Sequence, residues 1–250
     1  MVDMGIMKNM IHVEKSDNCT GCCACISTCP VNCIEIQYSN LGDVNYPVVD
    51  DNKCVKCGKC VKACQLKNEL VFEIPSHAYA SYSRNDEVFL GAASGGIASE
   101  IYRYALDKKI FAMGTKFSRE KGVFFQCIEV YEDILSSRDS KYVYSNARDI
   151  FENYKKALTY GKSAVYIGLP CQVAALLLFL KANKVNDDEL ITVDLICHGT
   201  PSWKYLNEHL LSIEQKKHKK IDRIRFRDPI YIYFFRAITK NGSDIYSKNT

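Results

Sequence analysis

Two stretches decide how this chain is read: Cys19-Thr-Gly-Cys22-Cys23-Ala-Cys25-Ile-Ser-Thr-Cys29-Pro30 and Cys54-Val-Lys-Cys57-Gly-Lys-Cys60-Val-Lys-Ala-Cys64. Both follow C-x₂-C-x₂-C-x₃-C. Thirteen cysteines occur in 250 residues, and ten of them lie between Cys19 and Cys64; only Cys127, Cys171 and Cys197 fall beyond. An odd number of cysteines, bunched in CxxC repeats, argues against a secreted disulfide framework. It argues for thiolate ligands kept in a reducing cytoplasm.

Three thiolates spaced by two residues wrap a tight loop around one face of a four-iron cubane, and the fourth, after the loop, reaches the other cluster. That spacing assigns Cys19, Cys22, Cys25 and Cys64 to one [4Fe–4S] cluster, and Cys54, Cys57, Cys60 and Cys29 to a second. Gly21 and Gly58 supply backbone freedom and amides near the sulfurs. Structural zinc also uses CxxC pairs, but with a longer spacer or with histidine. Gln65 stands where proline usually follows the fourth cysteine. Cys23 and Cys33 fall outside the ligand pattern and read as packed or partly exposed thiols rather than ligands.

Around this core the composition is that of an ordinary folded protein: 47% apolar residues and a net charge of +4, with pI near 8.3. Residues 1–70 carry seven Lys/Arg against eight Asp/Glu, net −1, which leaves +5 for the rest. Each oxidised cluster adds about two further negative charges. No apolar leader is visible in Met1 to Lys15. The longest apolar run, Val173 to Leu180, is eight residues, far below the roughly 20 that span a bilayer. Neither a G-x-G-x-x-G turn nor a P-loop is present. Lys216 to Lys220, with Arg223, Arg225 and Arg227, is a basic concentration that an acidic partner or nucleic acid would feel. A solvated helix end explains it equally, and the modest net charge weighs against nucleic acid.

The spacing places a domain boundary near 70–77 and an α+β chain: a cysteine module over 11–72, then a mixed α/β domain over 76–250. In the latter, alternation predicts a strand over His77–Ser83, and helical periodicity starts at Gly95-Gly96. Strands follow over Ile110–Phe117 and Val123–Tyr131, a helix over Ala147–Tyr160 and a strand over Ser163–Gly168. A helix begins at Pro170, a strand covers Glu189–Cys197, and a helix starts at Thr200-Pro201. Ile221–Thr239 reads as two strands before an Asn241-Gly242 turn.

Three strand-to-helix turns in this domain carry candidate chemistry. Ser94-Gly95-Gly96 offers free amides to a phosphate, or is simply a tight turn. Cys171, in Gly168-Leu-Pro-Cys171-Gln172, sits in a first helical turn where the dipole is expected to lower its pKa, unless it is a buried small hydrophobe. Cys197-His198-Gly199 ends a strand, where consecutive residues face opposite ways. Cys171, Cys197 and His198 are the catalytic candidates.

Taken in order, the double cysteine run, Ser94-Gly95-Gly96, Gly168-Leu-Pro-Cys171-Gln172 and Asp194-Leu-Ile-Cys197-His198-Gly199 resemble the coenzyme F420 hydrogenase/dehydrogenase beta-subunit family. The resemblance runs from about Asn18 to Arg227. It implies a bacterial two-cluster ferredoxin-like module joined to a flavin-binding domain. FAD would be contacted by Ser94, Gly95, Gly96, Gly168, Pro170, Cys171 and Gln172, and coenzyme F420 or another two-electron small molecule would be the substrate. A redox partner protein or ferredoxin-type carrier would exchange single electrons. Members of that family usually continue past this length, so the second domain is expected to be incomplete at its C-terminus. The alternatives are an electron-transfer subunit without substrate chemistry and a cluster-binding remnant.

Overall fold

A computed structural model describes residues 12–13, 18–38, 45–70, 74–227 and 234–249. Most of the Met1 to Lys15 stretch and the middle of the expected strand pair after Ile221 lie outside them. The described residues form a mixed α+β protein. Packing gathers residues 1–74 with 146–197 into one compact unit and residues 75–145 with 198–250 into another. Each unit is thus built from two separate lengths of chain.

In the first unit, each cysteine run closes with one turn of helix, Ala24–Ser27 and Lys59–Lys62. A hairpin pairs Ile34–Tyr38 with Asn45–Val49, antiparallel, Ile34 opposite Val49. The later length contributes helix Arg148–Thr159, strand Ala164–Gly168, helix Pro170–Ala182 and strand Leu190–Asp194. The two strands run parallel, from Ala164 opposite Leu190 to Gly168 opposite Asp194. Every residue of Ala164–Gly168 is buried, which is why the strand reads as a continuous apolar run. Pro170 opens its helix at the position where a missing N–H costs nothing. Between these elements Phe151 meets Phe179 at 5.1 Å and Tyr154 meets Tyr166 at 5.2 Å, and the Tyr154 hydroxyl donates to Val165 O at 2.8 Å.

The cysteine module lacks a deep core of its own, and this layer supplies one. Ala24 and Ile26 are buried, and the Ala24–Ser27 turn packs on both Arg148–Thr159 and Pro170–Ala182. Two hydrogen bonds fasten it: Ser27 Oγ donates to Arg148 O at 3.3 Å, and Asn183 Nδ2 donates to Thr28 Oγ1 at 3.3 Å. Fully burying each large apolar side chain such as Phe179 or Leu176 contributes about 1.5–3 kcal/mol.

In the second unit, helix Ile97–Asp107 starts at Gly96, whose φ of 78° suits glycine. Strands Phe111–Ser118 and Gly122–Cys127 form an antiparallel pair. Helix Trp203–Lys217 lays Leu210 and Ile213 onto a core of Val123, Val143, Phe226 and Phe235. The three strands Arg223–Arg225, Phe234–Ile238 and Asp244–Asn249 are antiparallel with Phe234–Ile238 central, and the last two are joined by the Asn241-Gly242 turn. Buried Glu214 accepts the Ile221 N–H at 2.9 Å and pairs with Arg119 at 3.2 Å.

Three local expectations are corrected. His77–Ser83 is irregular rather than a strand: its residues approach Gly95 instead of a neighbouring strand, with Ser83 N–H donating to Gly95 O at 2.7 Å. The helix expected from Thr200-Pro201 begins at Trp203, capped by Ser202, whose Oγ accepts the Lys204 N–H at 3.1 Å. Pro201 stays outside because its carbonyl accepts the Tyr144 N–H. The strand expected over Val123–Tyr131 ends at Cys127, and Tyr131 opens a helix, Tyr131–Ser137; that helix and Asp86–Gly91 carry too few turns to show a period.

Candidate metal centre

The eight cysteines of the two runs line two cavities. Cys19, Cys22, Cys25 and Cys64 surround one, closed by Val13, Ile36, Pro47 and Leu66. Cys29, Cys54, Cys57 and Cys60 surround the other, beside His12, Pro30 and Val55. Each cavity brings together three cysteines of one run and the fourth of the other. In each set the four cysteines line a cavity, as ligands of a multi-iron cluster would.

The two loops trace one backbone path with different residues. Gly21 has φ 65° and Cys23 φ 68°; Lys56 has φ 55° and Gly58 φ 70°. Each loop therefore needs two left-handed residues at matching positions, and each places glycine at only one of them. The non-glycine member carries a strain of about 1–2 kcal/mol. Cys23 meets this while donating its thiol to Gly21 O at 3.2 Å. Past the loops, both one-turn helices end in the same conformation, at Thr28 and Ala63. Asn68 Nδ2 donates to Val61 O and Cys64 O, both at 2.8 Å, and so satisfies carbonyls left open at the second helix end.

Burial makes these thiols hard to ionise without a cation. It pushes Cys22 up to about 12, with Cys23 and Cys64 adding to the rise, and it raises Cys25, Cys60 and Cys64 as well. Cys29 goes the other way: burial opposes ionisation there, but the N–H groups of Cys33, Val31 and Asn32 outweigh it. Iron reverses the balance, because bound thiolates give their charge to the metal. Amides already point at sulfur: Cys33 N–H at 3.4 Å from Cys29 Sγ, and Lys56 N–H at 3.4 Å from Cys54 Sγ.

Sequence reasoning missed several neighbours. Cys23 and Cys33 are buried, yet they line the first and second cavities respectively, with Cys33 Sγ 3.5 Å from Cys29 Sγ. Gln65, the residue in place of proline, donates from Nε2 to Thr20 Oγ1 at 2.8 Å. Thr20 in turn is within hydrogen-bonding reach of Cys171. The first cysteine loop and the Gly168–Gln172 turn are therefore in contact, and only the polar residue types at 20 and 65 hinted at it.

At that turn, burial raises the Cys171 pKa, with Thr20 opposing and Cys197 reinforcing the rise. This corrects the lowered value expected from the helix start: desolvation outweighs the dipole. Gln172 is buried, and its Oε1 accepts the Leu169 N–H at 3.2 Å. A side chain on Gly168 would come within 2.6 Å of the Tyr166 ring. Pro170 is exposed and Cys171 half-buried. Leu195 to Gly199 is exposed throughout, Ile196 at 93%, and Cys197 and His198 lie within it. In the second unit Ser94 is exposed, Gly95 is half-buried against Ser81 and Tyr82, and Gly96 is buried against Val88 and Ser83.

Comparison with known proteins gives two family matches. Residues 18–68 match the 4Fe-4S dicluster domain, and residues 161–248 match the C terminus of the beta subunit of coenzyme F420 hydrogenase/dehydrogenase. No curated protein matches the chain. A chain in the solved structure of the F420-reducing [NiFe] hydrogenase complex from Methanosarcina barkeri is similar at 20% identity and a TM-score of 0.47. The match covers 68% of this chain and 60% of that one. Among the described residues, no helix is long and apolar enough to cross a membrane.

Proposed function

We propose that this chain, whose residues 161–248 match the C terminus of the coenzyme F420 hydrogenase/dehydrogenase beta subunit and whose residues 18–68 match the 4Fe-4S dicluster domain, is a member of that beta-subunit family. It relays electrons through two [4Fe–4S] clusters to or from FAD and a two-electron partner such as the deazaflavin coenzyme F420. The observation that carries this reading is the grouping of eight cysteines around two cavities, three from one run and one from the other in each. Bound clusters supply one-electron steps, and a bound flavin couples them to two-electron chemistry.

The protein's share is to hold, shield and orient. Cys19, Cys22, Cys25 and Cys64 would hold one cluster and Cys29, Cys54, Cys57 and Cys60 the other. Val13, Ile36, Pro47 and Leu66 exclude water from the first. Of the residues expected at the flavin, Pro170 is exposed and Cys171 half-buried in the first unit, and Ser94 is exposed and Gly95 half-buried in the second. Gly96, Gly168 and Gln172 are buried and shape the turns. A side chain at Gly199 would meet nothing within 4 Å, so the backbone beside Cys197 and His198 has room for a ligand. His198 is the candidate for holding a proton near such a ligand. We take the evolutionary domains to be 11–72 and 76–250, and the setting to be the cytoplasm.

Gly168 and Gln172 are taken up within their own turn, and this favours a second reading: an electron-transfer subunit without substrate chemistry. Anaerobic reconstitution separates the two. Both readings expect about eight iron atoms per chain and a broad visible absorbance that dithionite bleaches. The first also expects stoichiometric FAD after incubation and reduction by F420H₂. Clusters without FAD would establish the second reading, and a chain without four-iron clusters would sink both.

A further inference from the structure

Five of the seven basic residues in the first 70 positions fall between Lys53 and Lys67. Four of them, Lys53, Lys56, Lys59 and Lys62, alternate with the second-run cysteines, and all four are exposed. Between Cys54 and Cys64 there is no acidic residue. Lys53 is drawn to Asp50 at 3.1 Å, whereas Lys56, Lys59 and Lys62 make no ion pair among the described residues. Among these lysines in the sequence Cys57 is exposed, and Val55 shows 59% of its surface to solvent. The first run differs in both respects. Cys19 to Cys29 contains no charged residue, and its Thr20 lies within hydrogen-bonding reach of Cys171.

We propose that Lys56, Lys59 and Lys62, around Val55 and Cys57, form the docking surface for an acidic one-electron carrier protein of the ferredoxin or flavodoxin class. The second centre is then the outer port of the relay and the first its inner end. This rests on the proposed relay and assigns it a direction. An exposed apolar residue among like charges suits a transient electron-transfer contact: charge steers the encounter, and the exposed cysteine shortens the path. The step itself is one electron. The carrier is oxidised by one electron, the second cluster is reduced by one, and no bond or proton moves. Lysines at this spacing would also offset the cluster's own negative charge, and the experiment tells the two roles apart.

The full chain, reconstituted anaerobically, is mixed in a stopped-flow instrument with a reduced, acidic plant-type [2Fe–2S] ferredoxin. The second-order rate is expected to fall about tenfold or more between low and near-molar salt. The Lys56→Gln, Lys59→Gln, Lys62→Gln triple variant is expected to lose about tenfold at low salt and most of the salt dependence. Its iron content and its reduction by dithionite should stay at parental values. A second variant, with Lys216, Lys217, Lys219 and Lys220 each changed to Gln, should keep the parental rate. The assignment is overturned if the triple variant keeps both rate and salt slope, or if the 216–220 variant shows the loss instead. A parent chain with clusters that dithionite reduces but ferredoxin does not would overturn the docking surface alone. A parent chain without clusters would overturn the relay as well.

Discussion

The loop from Cys19 to Cys25 and the loop from Cys54 to Cys60 follow the same backbone path, with left-handed residues at matching positions and matching helix ends. Their surroundings differ. The first is uncharged, its helix packs on both Arg148–Thr159 and Pro170–Ala182, and it is joined through Thr20 to Cys171, while the helix of the second also packs on Pro170–Ala182. The second carries a lysine between each pair of cysteines and leaves Cys57 in solvent. On the proposed reading the backbone conformation answers to the cluster each loop would hold and so repeats, and the side chains answer to what lies beyond it and so diverge.

The largest test of this contrast removes one ligand from each loop. Cys25→Ala and Cys57→Ala should each cost about half the iron. Cys25→Ala should also lower the thermal midpoint further, by roughly 6–12 °C, or about 3 kcal/mol, because the first loop is part of a packed core. Equal drops in differential scanning calorimetry would break the comparison. Next comes the alkaline behaviour of the metal-free chain. Cys22 rises from 9.0 to about 12 on folding, so its contribution to stability is complete below pH 9 and is lost as pH climbs toward 12. Urea titrations should show stability falling by up to about 1.4 kcal/mol per pH unit per such thiol. Cys22→Ala should flatten that slope, whereas Cys29, whose pKa is lowered, has the opposite sign, so Cys29→Ala should not.

Redox potentials sharpen the contrast further. Exposure and positive neighbours favour the reduced, more negative cluster, so the second centre should titrate at the higher potential. The Lys56, Lys59, Lys62 to Gln variant should bring it down by on the order of tens of millivolts toward the first. EPR-monitored titration reads both. The smallest effect is conformational. Gly58 is left-handed with open space around it, so Gly58→Ala should destabilise by only about 1 kcal/mol, and Lys56→Gly should recover a few tenths at the strained non-glycine position of the same loop. A Gly58→Ala loss of several kcal/mol would mean that more than backbone strain is at stake there.

Much of this was legible in the sequence, for reasons that particular residues show. The 2-2-3 spacing determines a loop because its constraints are local. Pro170, the buried run Ala164 to Gly168 and the Asn241-Gly242 turn each carry their own signal. The capping Ser202 was passed over because Thr200 and Pro201 offer a competing start two residues earlier. What stayed hidden depends on residues far apart in the chain. Nothing in Val173 to Leu180 says that its apolar surface serves the cysteine module, and nothing in Gln172 says that its side chain turns back on Leu169. The helix-start argument for Cys171 failed for the same reason, since its burial comes from elsewhere in the fold.

The first unit draws on residues up to 74 and again on residues 146–197, and synthesis proceeds in one direction. At about 5–20 residues per second, residue 197 leaves the ribosome roughly 6–25 s after residue 74. For that interval all eight cysteines proposed as ligands have been made, while the helices that cover Ala24 and Ile26 have not. On the proposed reading the nascent module is a set of thiols awaiting its lid, and iron delivery and protection from oxidation would act on an incompletely packed chain. Cutting the module out at the 72–76 boundary would make that temporary exposure permanent.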